Sequence, residues 1–132
     1  MAYSRYIKLN YFKYFQLGCS VDHGRLNDLF EYDLIENKWT QLQTNEEIKP
    51  RGGTSLNSYE NLEEKCLYLI GGFCGYELND FWKYNITDKK WTRCQDLPRH
   101  LSVFASATIL DNPNIRLIIH GGEVDPSTQG YK

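Results

Sequence analysis

Leu26-Asn27-Asp28-Leu29-Phe30-Glu31-Tyr32-Asp33, closed by Lys38-Trp39-Thr40, returns as Leu78-Asn79-Asp80-Phe81-Trp82-Lys83-Tyr84-Asn85, closed by Lys90-Trp91-Thr92. Trp39 and Trp91 stand 52 positions apart. A second signature keeps nearly the same step. The apolar run 67–72 (LYLIGG) is answered by 117–122 (LIIHGG), with Gly71 and Gly121 separated by 50, and 14–19 (YFQLGC) sits 53 before Gly71 as a worn third copy. Self-similarity at such a period marks a repeat architecture, in which each supersecondary unit buries its faces only against its neighbours.

Within one period the strands can be read directly. Lys65 to Gly72 is an apolar run ending in two glycines, which permit backbone angles that a side chain would forbid. Asp80 to Ile86 alternates with period two, placing Trp82 and Tyr84 on one face and Phe81 and Lys83 on the other. Residues 87–90 make a turn, and Trp91 to Gln95 is the next strand, with Trp91 expected to pack between adjacent sheets. The preceding copy is Asp28 to Leu34, a turn at 35–38, and Trp39 to Gln43, with Trp39 expected to be buried in the same way. First strands follow each Pro-Arg: Gly53 to Tyr59 after Pro50-Arg51, and Val103 to Leu110 after Pro98-Arg99. The loops 61–64 and 111–114 are rich in turn-forming residues. Helix signals are absent. The expected class is all-β.

Composition narrows the function. With 15 basic against 17 acidic residues, net charge −2, no basic stripe exists to neutralise the phosphates of a nucleic acid. No apolar run approaches the about 20 residues that span a bilayer, so no membrane is expected. Lys8 and Lys13 interrupt any secretory h-region, which points to a cytoplasmic location, with the nucleus as the alternative. Cys19, Cys66, Cys74 and Cys94 lack paired metal spacing and read as free thiols of a reducing compartment. Asn85-Ile86-Thr87 fits a glycosylation sequon, but where a strand turns back and without a signal peptide it reads as an accident. G-x-S-x-G, P-loop and dinucleotide-binding patterns are missing.

A period near 50 with a Gly-Gly, an aromatic strand and a Trp resembles the blades of kelch-repeat β-propellers. The resemblance implies a partial kelch β-propeller of about two and a half four-stranded antiparallel blades. Residues 1–13 form an atypical N-terminal segment without a preceding Pro-Arg. Residues 14–132 are the repeat region, with part of a blade at 14–43, a full blade at 51–95, and part of a third at 99–122 followed by the loop 123–132. Even four blades of roughly 50 residues need about 200, so the 132-residue chain reads as a fragment of a larger ring.

Among kelch proteins, the segments 50–56, 71–80, 102–107 and 121–126 are similar to the plant nitrile- and thiocyanate-specifier proteins. That resemblance implies Fe(II) bound by Glu, Asp and His in a loop after a Gly-Gly, acting on a glucosinolate aglucone, with arginines holding the sulfate. Glu123 and Asp125 match the carboxylates, and Arg51 matches one arginine. Tyr131 stands about where related sequences place the His, and Leu101 stands where the family often has Arg. A solvated Asp-Pro-Ser turn is the favoured reading of the carboxylates. A copper radical oxidase of the galactose oxidase type would need a Tyr–Cys crosslink and two His, which cannot be assembled here.

The leading expectation is therefore a noncatalytic protein-interaction module without a cofactor. Its binding rim would hold Arg51, Arg99 and Tyr76 in the loop 74–78. Arg51 and Arg99 both follow Pro and read as the same register of adjacent blades, where they either pair with carboxylates of another protein or close structural salt bridges. His23 and His100 read as exposed loop residues. Self-association through exposed blade faces is expected as well. The alternatives are an iron-dependent specifier-type lyase centred on Glu123 and Asp125, and a nonfunctional remnant.

Overall fold

The computed structural model describes residues 24–111 and 114–124 and the backbone of 5–9 and 13–20. Among these residues there is no helix, and so none long and apolar enough to cross a membrane. Among the described residues ten strands form three antiparallel sheets. The first sheet runs β1 (Arg5–Leu9), β2 (Lys13–Ser20), β3 (Gly24–Asp33), β4 (Lys38–Leu42) in consecutive order. The second repeats that meander with β5 (Ser55–Glu60), β6 (Lys65–Phe73), β7 (Glu77–Asn85) and β8 (Lys90–Arg93). The third holds β9 (Ala105–Asp111) and β10 (Asn114–His120), and the outer edge of β10 pairs with no strand among the described residues.

The period seen in the sequence is reproduced bond by bond. Tyr32 lies opposite Trp39 in β3–β4 as Tyr84 lies opposite Trp91 in β7–β8. Both hairpins turn on an Asx oxygen: Asp33 Oδ1 accepts from the backbone of Ile35 and Glu36, and Asn85 Oδ1 from that of Thr87 and Asp88. Asn37 and Lys89 close the two turns at φ +54° and +55°. The β2–β3 register slips between Leu17 and Cys19 and the β6–β7 register between Ile70 and Gly72, placing Gly18 opposite residues 26–28 and Gly71 opposite 79–80. Gly72 cannot carry a side chain. Its φ is +110°, and a Cβ there would come within 2.8 Å of the Gly52 carbonyl oxygen.

Alternation decides which face each residue supplies. Leu67, Leu69, Trp82, Tyr84 and Trp91 project from the second sheet toward Leu29 and Ile48 beside the first, and these residues with Leu56 form the hydrophobic core. Each fully buried large apolar side chain stabilises by about 1.5–3 kcal/mol. The opposite face of the second sheet receives the third sheet through polar contacts. Asn57 Nδ2 donates to Ser106 Oγ at 2.8 Å, Ser55 and Ser106 share a hydrogen bond, and Thr108 Oγ1 donates to the Ser58 carbonyl at 2.8 Å.

Trp91 is 8% exposed, as its place between sheets requires, but Trp39 is 45% exposed. The expectation that both are buried fails for Trp39. By the same alternation it lies on the face of the first sheet turned away from the second, where no described element covers it.

Candidate functional site

The strand-connecting loops carry the polar residues that the core cannot hold. Arg51 follows Pro50 on the stretch leading into β5, and its backbone N–H donates to Leu26 O at 3.2 Å, tying the first sheet to the second. Its side chain turns inward and is 1% exposed. Nη1 and Nη2 reach Asp80 Oδ1 and Oδ2 at 2.5 and 2.8 Å, Nη1 also reaches Gly71 O at 3.1 Å, and Nε reaches Lys49 O at 3.0 Å. Asp80 Oδ2 accepts in addition from Trp82 Nε1 at 2.7 Å. Burial alone would raise the Asp80 carboxyl, but the Arg51 fork and the Trp82 indole outweigh it and hold the pKa below the ordinary 3.8. Arg51 is therefore the structural salt bridge of the two readings the sequence allowed. Its guanidinium is spent inside the fold and does not line a binding rim.

Arg99 is exposed and makes no ion pair among the described residues. It is not the backbone counterpart of Arg51. Leu101 is: its N–H donates to Leu78 O at 3.0 Å as that of Arg51 does to Leu26 O. The bridge Gly52–Phe73 is likewise matched by Ser102–Glu123. Arg99 corresponds instead to Lys49. The Pro-Arg pairs are 48 residues apart while the backbone repeats at 50, so matching the dipeptides slipped the register by two.

Tyr76 is 51% exposed on the β6–β7 loop and lines a cleft of about 460 Å³ together with Arg25, Lys49, Pro50 and Cys74. The Tyr76 hydroxyl hydrogen-bonds Lys49 Nζ and holds that ammonium above its ordinary pKa, so it stays charged at neutral pH. Lys49 Nζ lies 5.1 Å from the Tyr76 ring centroid, and the Arg25 guanidinium 4.6 Å from that of Phe73. The aromatic rings thus orient two cations, Arg25 on β3 and Lys49 on the stretch before β5, into one cleft, and neither cation meets a carboxylate among the described residues. The sequence reading found Tyr76 but missed Arg25 and Lys49. Lys49 could have been found from its place beside Pro50-Arg51. Arg25 had no comparable signal, because it joins the cleft only after β2–β3 and β6–β7 are brought together.

The remaining candidates are more scattered. Glu123 joins Ser102 through two backbone hydrogen bonds, Ser102 N to Glu123 O at 3.1 Å and Glu123 N to Ser102 O at 2.8 Å. Asp125 and Tyr131 lie outside the described residues, as does His23. His120 is exposed at the end of β10, and His100 is held through Nδ1, 2.9 Å from Glu77 O. Among the described residues no three His, Cys, Asp or Glu side chains group so as to hold a metal ion. Cys66, Cys74 and Cys94 are free thiols.

Comparison with known proteins agrees with the repeated sheets. Multiple epidermal growth factor-like domains protein 8 of Mus musculus is 28% identical over 112 residues, covering 80% of this chain and 4% of that protein. Kelch-like protein 40 of Mus musculus is 31% identical over 100 residues, covering 68% of this chain and 15% of that protein. Kelch-like protein 40 of Xenopus tropicalis is 35% identical over 81 residues, covering 54% and 12%. The chain thus spans a small part of the length of these relatives. The family described as the KLHDC2/KLHL20/DRC7 Kelch-repeats domain matches residues 9–122, which takes in the described sheets almost entirely, and the chain belongs to it.

Proposed function

We propose that the chain is a protein-interaction module that takes an acidic, extended segment of another protein into the cleft of Arg25, Lys49 and Tyr76. One observation carries this reading: Arg25 at the start of β3 and Lys49 before β5 line one cleft with the exposed Tyr76, and neither pairs with a carboxylate among the described residues. Arg25 offers a planar fork suited to a carboxylate, Lys49 adds a point charge, and Tyr76 supplies a rigid amphipathic contact. Arg99, at the Lys49 position of the next blade, extends the same charge along the rim. Membership of the kelch family supports a binding role. The specifier-type lyase reading needs Arg51 to hold a sulfate, and that guanidinium is buried against Asp80.

The test is binding of a fluorescein-labelled twelve-residue peptide of alternating Glu and Gly, measured by anisotropy against a Gln-Gly control. The acidic peptide should bind, and its affinity should fall as salt is raised. Arg25→Glu and Lys49→Glu should each lower the affinity about tenfold or more, consistent with loss of one charged contact. Equal binding of the two peptides, or indifference to both charge reversals, would overturn the proposal.

A further inference from the structure

An ammonium can only donate, so in the hydrogen bond between Lys49 Nζ and the Tyr76 hydroxyl the phenol oxygen accepts. The hydroxyl hydrogen is thereby left for a third group. Lys49 keeps two further N–H bonds, and the Arg25 guanidinium, stacked 4.6 Å from the Phe73 ring centroid, enters no hydrogen bond or ion pair among the described residues. Both cations are exposed.

The acceptors beside them are already engaged. Lys49 O takes Arg51 Nε at 3.0 Å, and Tyr76 O takes the Cys74 N–H at 3.0 Å. Of the side chains lining the cleft, Pro50 has no polar atom and the Cys74 sulfur is a weak acceptor. The cleft therefore presents two positive charges and a set of donors, with little to receive a proton. Such a lining discriminates among anions. A carboxylate brings one charge and two acceptor oxygens, which leaves the second cation unneutralised. A phosphate monoester brings about −1.5 to −2 charge at pH 7 and three acceptor oxygens, and as a dianion has no proton to place.

Resting on the interaction role proposed above, we infer that the acidic group seated in this cleft is a phosphorylated residue of the partner segment, held as a dianion by Arg25, Lys49 and the Tyr76 hydroxyl. Binding is then conditional on phosphorylation of the partner.

The test is anisotropy, at pH 7.5, of fluorescein-labelled Gly-Ser dodecapeptides carrying Ser, Glu, phosphoserine or sulfoserine at one central position. Sulfoserine keeps three terminal oxygens on a tetrahedral centre but carries a single charge. Phosphoserine should bind about tenfold or more tighter than Glu, and sulfoserine should fall several-fold short of phosphoserine. Arg25→Gln and Lys49→Gln, both at exposed positions, should each bring the phosphoserine-to-Glu ratio toward one, which a general loss of stability would not do. Tyr76→Phe keeps the ring, removes the donor and should weaken phosphoserine binding several-fold. Inorganic phosphate should compete only at concentrations about tenfold or more above the peptide Kd.

Phosphoserine and Glu peptides bound alike would overturn the inference and leave the acidic-segment reading standing. Sulfoserine bound as tightly as phosphoserine, inorganic phosphate bound as tightly as the peptide, or a ratio unmoved by both Gln variants would overturn it as well. Acidic peptides that bind no better than the Ser control would overturn both readings.

Discussion

Leu101 holds in the third sheet the backbone position that Arg51 holds in the second. Each donates its N–H to the carbonyl of the leucine that begins the preceding Leu-Asn-Asp motif, Leu78 for Leu101 and Leu26 for Arg51. Each is followed by an antiparallel bridge to the residue after a Gly-Gly position. At one position the chain spends a guanidinium on Asp80, Gly71 and Lys49. At the other it places an aliphatic side chain beside Gly122, with Leu101 Cδ1 only 2.8 Å from where a Cβ on that glycine would sit.

Removing the guanidinium should be far more damaging than its charge alone implies. Arg51→Met leaves the Asp80 carboxylate buried with only the Trp82 indole, and breaking a buried pair from one side costs about 3–5 kcal/mol. Arg51→Met combined with Asp80→Asn keeps an acceptor for Trp82 and buries no charge. That double variant should unfold at a higher urea midpoint than Arg51→Met alone. A strictly additive loss would mean that the uncompensated carboxylate is not the cause.

The same pair sets an acid limit. The Asp80 pKa is lower in the folded chain than its ordinary 3.8, so its contribution is fully present above that value. As pH falls below 3.8 the unfolded chain takes up the proton first, and stability is lost progressively until the folded carboxyl protonates. Urea midpoints measured through this range should fall less steeply for Asp80→Asn than for the unmodified chain, and parallel slopes would contradict the assignment.

The two tryptophans of the repeat should separate cleanly. Trp91→Ala opens the core between the first two sheets and should cost about 3–5 kcal/mol. Trp39 gives up mainly its contact with Tyr32, worth about 0.5–1.5 kcal/mol. Denaturation of both variants under conditions that keep the chain monomeric measures the difference, and equal losses would mean that the Trp39 face is covered.

Much of this was legible in the sequence because the repeat records itself twice. Leu-Asn-Asp with its distant Lys-Trp-Thr fixed two hairpins in one register, and period-two alternation put Trp82 and Tyr84 on one face. The failures share a cause. Whether Trp39 is buried depends on a neighbouring sheet that the local pattern does not contain. Arg51 and Arg99 look alike as dipeptides, yet a two-residue difference in loop length assigns one to an internal ion pair and the other to solvent. Arg25 starts β3 while Lys49 and Tyr76 lie on separate loops, so only the stacking of sheets makes them a cleft.

Val103 is strained at a position its repeat partner fills with glycine. Gly53 has φ +56° and Val103 φ +52°, and the latter is 58% exposed, so its side chain recovers little by packing. A left-handed L-residue costs about 1–2 kcal/mol, against about 0.5–1 kcal/mol of extra chain entropy for glycine. Val103→Gly should therefore stabilise the fold by about 0.5–1 kcal/mol, read as a higher denaturation midpoint. Gly53→Val should lower it, since a Cβ there meets Val103 Cγ2 at 3.1 Å as well as the strained backbone. A destabilised Val103→Gly would show that the valine packs more tightly than its exposure implies.

Iron separates the binding and lyase readings at little effort. Fe(II) is well served by carboxylates together with imidazole, whereas Glu123 and Asp125 offer carboxylates alone and Tyr131 a neutral phenol. A ligand raises the melting temperature only by binding the native state more tightly than the unfolded one. Anaerobic Fe(II) should therefore leave the melting temperature of the unmodified chain unchanged. On the lyase reading, Tyr131→His restores the missing ligand type and should gain Fe(II) affinity that a further Asp125→Ala change removes. Strong Fe(II) binding by the unmodified chain, abolished by Asp125→Ala, would instead place the 123–132 segment, and not the Arg25–Lys49–Tyr76 cleft, at the centre of its function.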